Sequence, residues 1–203
     1  MTLSIKTILL SIFLSLSTAV CVLTGIAAYQ SYAGYATYSA VSKLTALDQA
    51  LFKSLVNFRN ERGDGASSLK MDIADYGATV ESLKKDRALV DTAMADAKAV
   101  FADIEDETVR GPVSQVISNY DQFVAFRARI DEALSRPLAD RDPTLGDASL
   151  ELGQTLLSSL EAASTVAEGV IRDRDASMTA MIQIRALSWS TRALTGAAML
   201  KIN

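Results

Sequence analysis

The side chains with the clearest capacity for chemistry are arginines. Arg59 and Arg62 lie three residues apart, so they project from neighbouring positions of one predicted helix. A guanidinium carries a planar fork of N–H donors that matches the oxygen pair of a carboxylate or of nitrate. The spacing therefore indicates a site for a small anion. The alternative is a solvated helix end, with Glu61 and Arg62 preceding a glycine cap.

Three further arginines, Arg87, Arg127 and Arg174, interrupt otherwise apolar helical stripes. An arginine at such a position usually lays its stem along apolar neighbours or pairs with a facing acid such as Asp91 or Asp131. The alternative is that these arginines line a buried polar cavity that binds an anionic ligand. The candidate ligand-binding residues are Arg59, Arg62, Arg87 and Arg127.

Composition excludes several classes of function. Histidine is absent, and the one cysteine, Cys21, lies in an apolar stretch, so neither His-based catalysis nor a thiolate or histidine metal site is expected. No glycine-rich phosphate loop occurs. The net charge of -4, with both signs interspersed, argues against a nucleic-acid surface. We expect a binding or structural protein without a cofactor rather than an enzyme.

An uncharged apolar segment runs from Thr7 to Tyr29. A helix needs about 20 apolar residues to cross a bilayer, so this segment predicts a membrane anchor. A cleaved signal peptide is the alternative, but the segment is longer than the usual apolar region of one. A lipoprotein anchored at Cys21 is disfavoured, because Val20 occupies the position before the cysteine where a small residue is expected. Lys6 places the short tail in the cytoplasm by the positive-inside rule.

These features predict a layout in three parts. Residues 1–6 form a cytoplasmic tail, residues 7–29 cross the inner membrane, and residues 30–203 form an extracytoplasmic helical domain. Tyrosines recur every three residues just after the anchor, as in an aromatic belt at the membrane surface. They are Tyr29, Tyr32, Tyr35 and Tyr38.

Apolar stripes at spacings of three and four predict four long helices. The first continues from the anchor to about Arg62 and stops at the glycines of the stretch 60–65. The second starts near Leu69, and the charged cluster 105–107 together with Gly111 and Pro112 marks the boundary before the third. The first stripe comprises Val41, Leu44, Leu47, Leu51, Leu55 and Phe58.

The third helix ends before Pro137, and the stretch 136–146 is the clearest loop. Thr144 and Asp147 have the spacing of a capping box, so a fourth helix is expected from about Asp147. Its apolar pattern persists to the end of the sequence unless it kinks near Gly169 or between Arg192 and Gly196. The predicted fold is all-α: a membrane-anchored, antiparallel up-down helical bundle with coiled-coil-like helices, most simply a homodimer.

The chain resembles the amino-terminal sensor region of a bacterial methyl-accepting chemotaxis receptor. The sequence Phe-Arg-Asn-Glu-Arg-Gly at 58–63 is similar to the Glu-Arg-Gly signature of nitrate- and nitrite-sensing helical domains. Trp189, Arg192 and Gly196 resemble a Trp-x-x-Arg-x-x-x-Gly pattern of such ectodomains. The resemblance implies ligand sensing near the distal end of the first helix. A complete receptor of this kind also has a second membrane helix and a cytoplasmic signalling part, so we expect this chain to be a fragment.

The leading hypothesis is thus a homodimeric, ligand-sensing ectodomain of a transmembrane signalling receptor. A sensor region of a histidine kinase or of a cyclic-dinucleotide enzyme is a close alternative. A third hypothesis is a ligand-free, membrane-anchored coiled-coil spacer or adaptor. The spacer hypothesis predicts that Arg87, Arg127 and Arg174 are all paired with acids.

Overall fold

The computed structural model describes residues 5–72, 77–184, 187, 188 and 191. Over these residues the secondary structure consists of helices and turns, with no strand. The predicted all-α class is therefore confirmed. Some predictions concern residues outside the described part of the chain. They are Ile73 and Tyr76, apolar positions of the predicted second helix, and the motif residues Trp189, Arg192 and Gly196.

Internal contacts divide the chain into two compact units, Met1–Ala40 and Val41–Asn203. Helix α1, Ile5–Leu69, contributes to both. In the first unit its large apolar side chains are exposed, from Ile26 at 50 % to Ile5 at 77 %. By length and composition α1 could cross a membrane, and no other helix of the described residues could. The four tyrosines that follow the apolar segment are exposed as well.

Helix α1 ends at Leu69, so the predicted end near Arg62 is wrong. Gly63 and Gly65 lie inside the helix, and no described glycine has a positive φ. A glycine in a helix interior costs about 1 kcal/mol relative to alanine. Burial of the following apolar residues, including Leu69, outweighs this cost, because packing rather than propensity holds most helices in proteins.

Helix α2 is Gly77–Phe101 and helix α3 is Glu107–Leu134. Helix α2 begins later than predicted, since Leu69 belongs to α1. The boundary before α3 lies at Asp106, within the predicted charged cluster 105–107, and the Asp106 side chain accepts a hydrogen bond from the Thr108 backbone N–H as an N-cap. The other predicted marker, Gly111 with Pro112, lies inside α3. The predicted end of α3 before Pro137 is confirmed.

The connection after α3 contains a short 3₁₀ helix, Leu138–Asp140, and helix α4 is Leu145–Arg174. The predicted capping box is wrong. Thr144 occupies the N-cap position, but its side chain makes no capping hydrogen bond and donates instead to Asp142 Oδ1 at 2.7 Å. The fourth helix does not continue unbroken to the end of the sequence. It ends at Arg174, and the 3₁₀ helix Ala176–Met178 follows.

Contacts in the second unit fix the relative direction of its helices. Asp48 of α1 contacts Ser164 of α4, whereas Arg62, further along α1, contacts the earlier residue Leu150. Lys98 of α2 pairs with Asp121 of α3, whereas Arg87, earlier in α2, pairs with the later residue Asp131. Helix α1 is therefore antiparallel to α4, and α2 is antiparallel to α3.

The predicted first stripe is fully buried and shares one apolar core with residues of α2, α3 and α4. At its centre the rings of Phe58 and Phe123 meet edge to face, with centroids 4.6 Å apart. A smaller core lies where α1 ends, and it includes Leu69, Leu83, Ile130 and Leu145. The polar residues considered next lie between these two cores along α1.

Candidate functional site

A buried carboxylate on α1 is the centre of the site. Glu61 follows Phe58 by three residues, so it continues the buried face of α1, and its exposure is only 1 %. Arg127 of α3 binds it with both arms of the guanidinium. Its Nε donates to Glu61 Oε1 at 2.7 Å and its Nη2 donates to Oε2 at 2.8 Å. The interpretation of Glu61 as part of a solvated helix end is therefore wrong.

Helix α2 supplies a second carboxylate to the same guanidinium. Arg127 Nη1 donates to Asp91 Oδ1 at 2.7 Å. The hydroxyl of Tyr120, which lies two turns before Arg127 in α3, donates to the same Asp91 oxygen at 2.6 Å. Asp91 is half exposed, with 49 % of its side chain accessible, so this edge of the site faces solvent. The expectation that the stripe arginines pair with facing acids such as Asp91 or Asp131 is thus met at Arg127.

Arg87 of α2 completes the site. Its Nη1 donates to Asp131 Oδ1 at 2.7 Å, so Arg87 also pairs with one of the two acids considered from the sequence. Its Nε lies 3.6 Å from Glu61 Oε1, close enough for an ion pair but not for a hydrogen bond. Among the described residues, neither Nε nor Nη2 of Arg87 has a hydrogen-bond partner. We call these residues the Glu61 cluster: Glu61, Arg87, Asp91, Tyr120, Arg127 and Asp131.

Charge and burial set the proton affinities in the Glu61 cluster. The cluster contains three carboxylates and two guanidiniums. Burial raises the pKa of Glu61 above its usual value, although Arg127 and Arg87 oppose the shift. Burial and the Asp91 carboxylate raise the pKa of the Tyr120 hydroxyl. Burial alone would lower the pKa of Arg127, but its bonds to Glu61 raise it above the usual value.

Arg62 faces a different helix from Arg87 and Arg127. Its Nε donates to the Leu150 carbonyl of α4 at 3.1 Å, and its stem lies against Gly153. Burial lowers the pKa of Arg62, and the nearby Arg59 charge acts in the same direction. Arg59 is half-buried. The structure thus brings Arg87 and Arg127 together around Glu61, whereas Arg62 contacts α4 and has the charge of Arg59 nearby.

Arg174, the third arginine that interrupts an apolar helical stripe, also pairs with an acid. Its Nη2 donates to Asp106 Oδ2 at 2.5 Å and so ties the end of α4 to the start of α3. All three stripe arginines are therefore paired, as the spacer hypothesis predicts.

Asp48 and Arg141 are among the buried polar residues that the sequence analysis did not identify. Asp48, 2 % exposed, accepts a hydrogen bond from Ser164 Oγ at 2.6 Å. Its spacing of four from Leu44 placed it on the apolar face, which was a usable signal. Arg141 Nη1 donates to the carbonyls of Ser68, Leu69 and Met71. It thereby caps the carboxyl end of α1, where a cation is favoured, and no local pattern in the loop indicated this role.

Among the described residues, two polar surface cavities lie away from the Glu61 cluster. One, of about 150 Å³, lies where α3 connects to α4 and is lined by residues including Arg129, Arg136 and Asp142. The other, of about 420 Å³, lies between Lys43 and the turn before α3. Charges of both signs line each cavity. Within the described part of the chain, no group of three or more acidic or cysteine side chains could hold a metal ion.

The chain was also compared with known proteins. Comparison with protein-family models, with curated proteins and with solved structures finds no match. The functional interpretation therefore has to be carried by the residues themselves.

Proposed function

We propose that the chain is the ligand-sensing ectodomain of a transmembrane signalling receptor of the chemoreceptor type. In this proposal the apolar segment of α1 anchors the chain in the inner membrane. The second unit, an up-down-up-down bundle that pairs as a homodimer, lies outside the cytoplasm. The observation that carries the proposal is that one helix, Ile5–Leu69, contains both the apolar segment and the buried Glu61.

The Glu61 cluster is suited to report a small change in the position of α1. Glu61 belongs to α1, whereas Arg87 and Arg127, which bind it, belong to α2 and α3. A bidentate carboxylate pair is sensitive to geometry. Helix displacements of about 1 to 2 Å, typical of signalling transitions, would break one hydrogen bond and favour another. Two alternative packings are all that such a signal requires.

Arg87 is the point at which a small anion would enter the cluster. Its Nε and Nη2 are donors without a hydrogen-bond partner in the described residues, and its partner Asp131 is exposed. An anion bound there would compete with Glu61 and Asp131 for the guanidinium, and so would weaken the link between α1 and α2. Since the cluster already has an excess of carboxylates, binding is favoured when Glu61 is protonated. Affinity should therefore rise as the pH falls.

The proposal is tested by titrating the full chain in detergent with nitrate, nitrite and acetate. Binding is measured by calorimetry and by the shift in melting temperature, because a ligand specific for the folded state stabilises it. We expect one anion to bind, and Arg87→Ala to abolish binding. Arg59→Ala and Arg62→Ala test two further candidate arginines. Arg172→Ala, an exposed arginine of α4, is the matched control.

The ligand-free spacer is a second candidate, favoured by one specific observation. Arg87, Arg127 and Arg174 are all paired with acids. In a spacer these pairs would serve only to fix the register of the helices. If no small anion binds at any pH, the sensing function is refuted and the spacer becomes the better explanation.

A further inference from the structure

The cavity of about 150 Å³ where α3 connects to α4 has a buried floor. Ala133, Arg141 and Leu145 form this floor, and each is less than a tenth exposed. Arg141 Nε donates to the Arg136 carbonyl at 2.9 Å, and its Nη1 donates to carbonyls at the end of α1. These hydrogen bonds join the connection to both α3 and α1. The cavity is therefore held open by buried contacts rather than by exposed side chains alone.

Arg129 of α3 supplies a guanidinium to the rim of this cavity. Its Cζ lies 4.9 Å from the centroid of the Phe126 ring, which packs against the smaller core. An aromatic ring attracts a guanidinium through its face and leaves the N–H donors at the edge of the group accessible. Among the described residues, the Arg129 guanidinium has no hydrogen-bond or ion-pair partner. Its donors are therefore available to a carboxylate that enters the cavity.

Two carboxylates from the connection line the same cavity. Asp142 Oδ1 accepts hydrogen bonds from the Thr144 backbone N–H at 2.9 Å and from the Thr144 hydroxyl at 2.7 Å. These bonds lower the pKa of Asp142, and the nearby Arg129 charge acts in the same direction. The Asp140 carboxylate has no hydrogen-bond or ion-pair partner in the described part of the chain. The cavity thus carries unpaired charges of both signs, because Asp140 and Arg129 do not bind each other.

The charges that line the cavity balance each other. Glu132 and Arg136 form an ion pair of their own. The remaining lining charges are two arginines and two aspartates. A lone anion or a lone cation in the cavity would upset this balance, since it would face like charges as well as opposite ones. A ligand that carries one charge of each sign would preserve it.

We propose that this cavity binds a small zwitterion, a molecule with one carboxylate and one ammonium group. The carboxylate accepts hydrogen bonds from Arg129, and the ammonium group donates to Asp140 and Asp142. Sites for drug-sized ligands have volumes of about 300 to 1,000 Å³, so a cavity of about 150 Å³ takes a smaller molecule. The site shares no residue with the Glu61 cluster, and the inference does not depend on the membrane anchor.

The test is calorimetric titration of the full chain in detergent at neutral pH. The ligands are glycine, β-alanine and γ-aminobutyrate, in which the two charges lie progressively further apart. Acetate and methylammonium each carry only one of the two charges and serve as the comparison. We expect one zwitterion to bind at least about tenfold more tightly than either of them, because each charged group adds a charge-assisted hydrogen bond.

Substitutions at the rim assign the two ends of the ligand. Arg129→Gln and Asp140→Asn should each weaken binding of the zwitterion about tenfold, because each removes one charged partner. Asp140→Asn should leave acetate binding unchanged. Arg172→Gln and Asp173→Asn alter exposed residues of α4 outside the cavity and are the matched controls.

The proposal is overturned if none of the three zwitterions binds, or if the Arg129 and Asp140 variants bind the zwitterion as tightly as the unmodified chain does. It is also overturned if acetate binds at Arg129 as tightly as the zwitterions, since the site would then recognise an anion only. Acetate binding that survives Arg129→Gln and is lost in Arg87→Ala belongs to the Glu61 cluster. Failure of the zwitterion site is thereby distinguished from failure of the proposed anion sensing.

Discussion

Arg127 holds Glu61 by two hydrogen bonds, of 2.7 and 2.8 Å, between side chains 66 residues apart in the sequence. Glu61 is 1 % exposed and the Arg127 side chain 9 % exposed, so both charges are withdrawn from water. Removing one member of a buried ion pair leaves the other uncompensated, which is far more costly than losing a surface pair.

Arg127→Met should therefore lower the free energy of unfolding by about 3 to 5 kcal/mol at neutral pH. Methionine keeps a long apolar side chain at this position, but the buried Glu61 carboxylate loses the guanidinium that binds it. Urea unfolding of the full chain in detergent, followed by circular dichroism, measures the change. Arg172→Met, at an exposed position of α4, should change the stability by less than about 1 kcal/mol. Equal effects of the two substitutions would mean that the Glu61 pair contributes little.

The stability contributed by the Glu61 proton should depend on pH. Burial raises the pKa of Glu61 above 4.5, against the opposing effect of Arg127 and Arg87. The folded state then binds this proton more tightly than the unfolded chain does. The resulting stabilisation is fully present below pH 4.5 and is lost as the pH rises through the folded-state pKa.

Glu61→Gln removes this titration. The unfolding free energy of the unmodified chain, relative to that of the Gln variant, should therefore fall as the pH rises above about 4.5. Parallel urea titrations across the acid and neutral range measure the difference. Glu151→Gln, at an exposed position of α4, should show no such trend. A relative stability that grows with pH would contradict a raised pKa.

Gly153 and Arg62 should be coupled. A Cβ at position 153 would lie 2.9 Å from Arg62 Cδ, so Gly153→Ala must displace the Arg62 stem and strain its bond to the Leu150 carbonyl. Alanine gains about 1 kcal/mol over glycine in a helix, and losing the hydrogen bond costs a similar amount. Gly153→Ala alone should be close to neutral.

The same substitution in an Arg62→Ala background should stabilise the chain by about 1 kcal/mol. Gly169→Ala, where an added Cβ meets nothing within 4 Å, should stabilise by a similar amount in either background. Unfolding titrations of this double-mutant cycle measure the coupling. If Gly153→Ala stabilises equally with and without Arg62, the two residues do not contact each other in solution.

The fold was predictable from sequence where periodicity carries the information. The stripe from Val41 to Phe58 is buried throughout. The apolar pattern that predicted the fourth helix is buried as well, at Leu156, Leu160, Ala163, Ala167 and Ile171. The end of α1 was not predictable, because the burial of Leu69 depends on contacts with residues such as Leu83, distant in the sequence, that override the glycines.

The site was predictable only in part. Arg87 and Arg127 were visible as charges in apolar stripes, and charge alone predicted acidic partners such as Asp91 and Asp131. Which acid pairs with which arginine came only from the structure. Glu61 was misread because its partner lies on another helix, and local spacing does not encode such a pair. Glu61 follows the apolar Phe58 by three residues, and this spacing indicated that Glu61 lies on the buried face of α1.

The central claim is that α1 anchors the chain in a membrane with the second unit outside the cytoplasm. It is tested most directly by labelling intact cells with a membrane-impermeant maleimide. Cys21 is the only cysteine, so Ser114→Cys in a Cys21→Ala background provides one exposed thiol on α3. We predict that this thiol is labelled in intact cells and that the chain stays in the membrane fraction after alkaline extraction. Labelling only after the cells are broken, or recovery of the chain in the aqueous fraction, would contradict the claim.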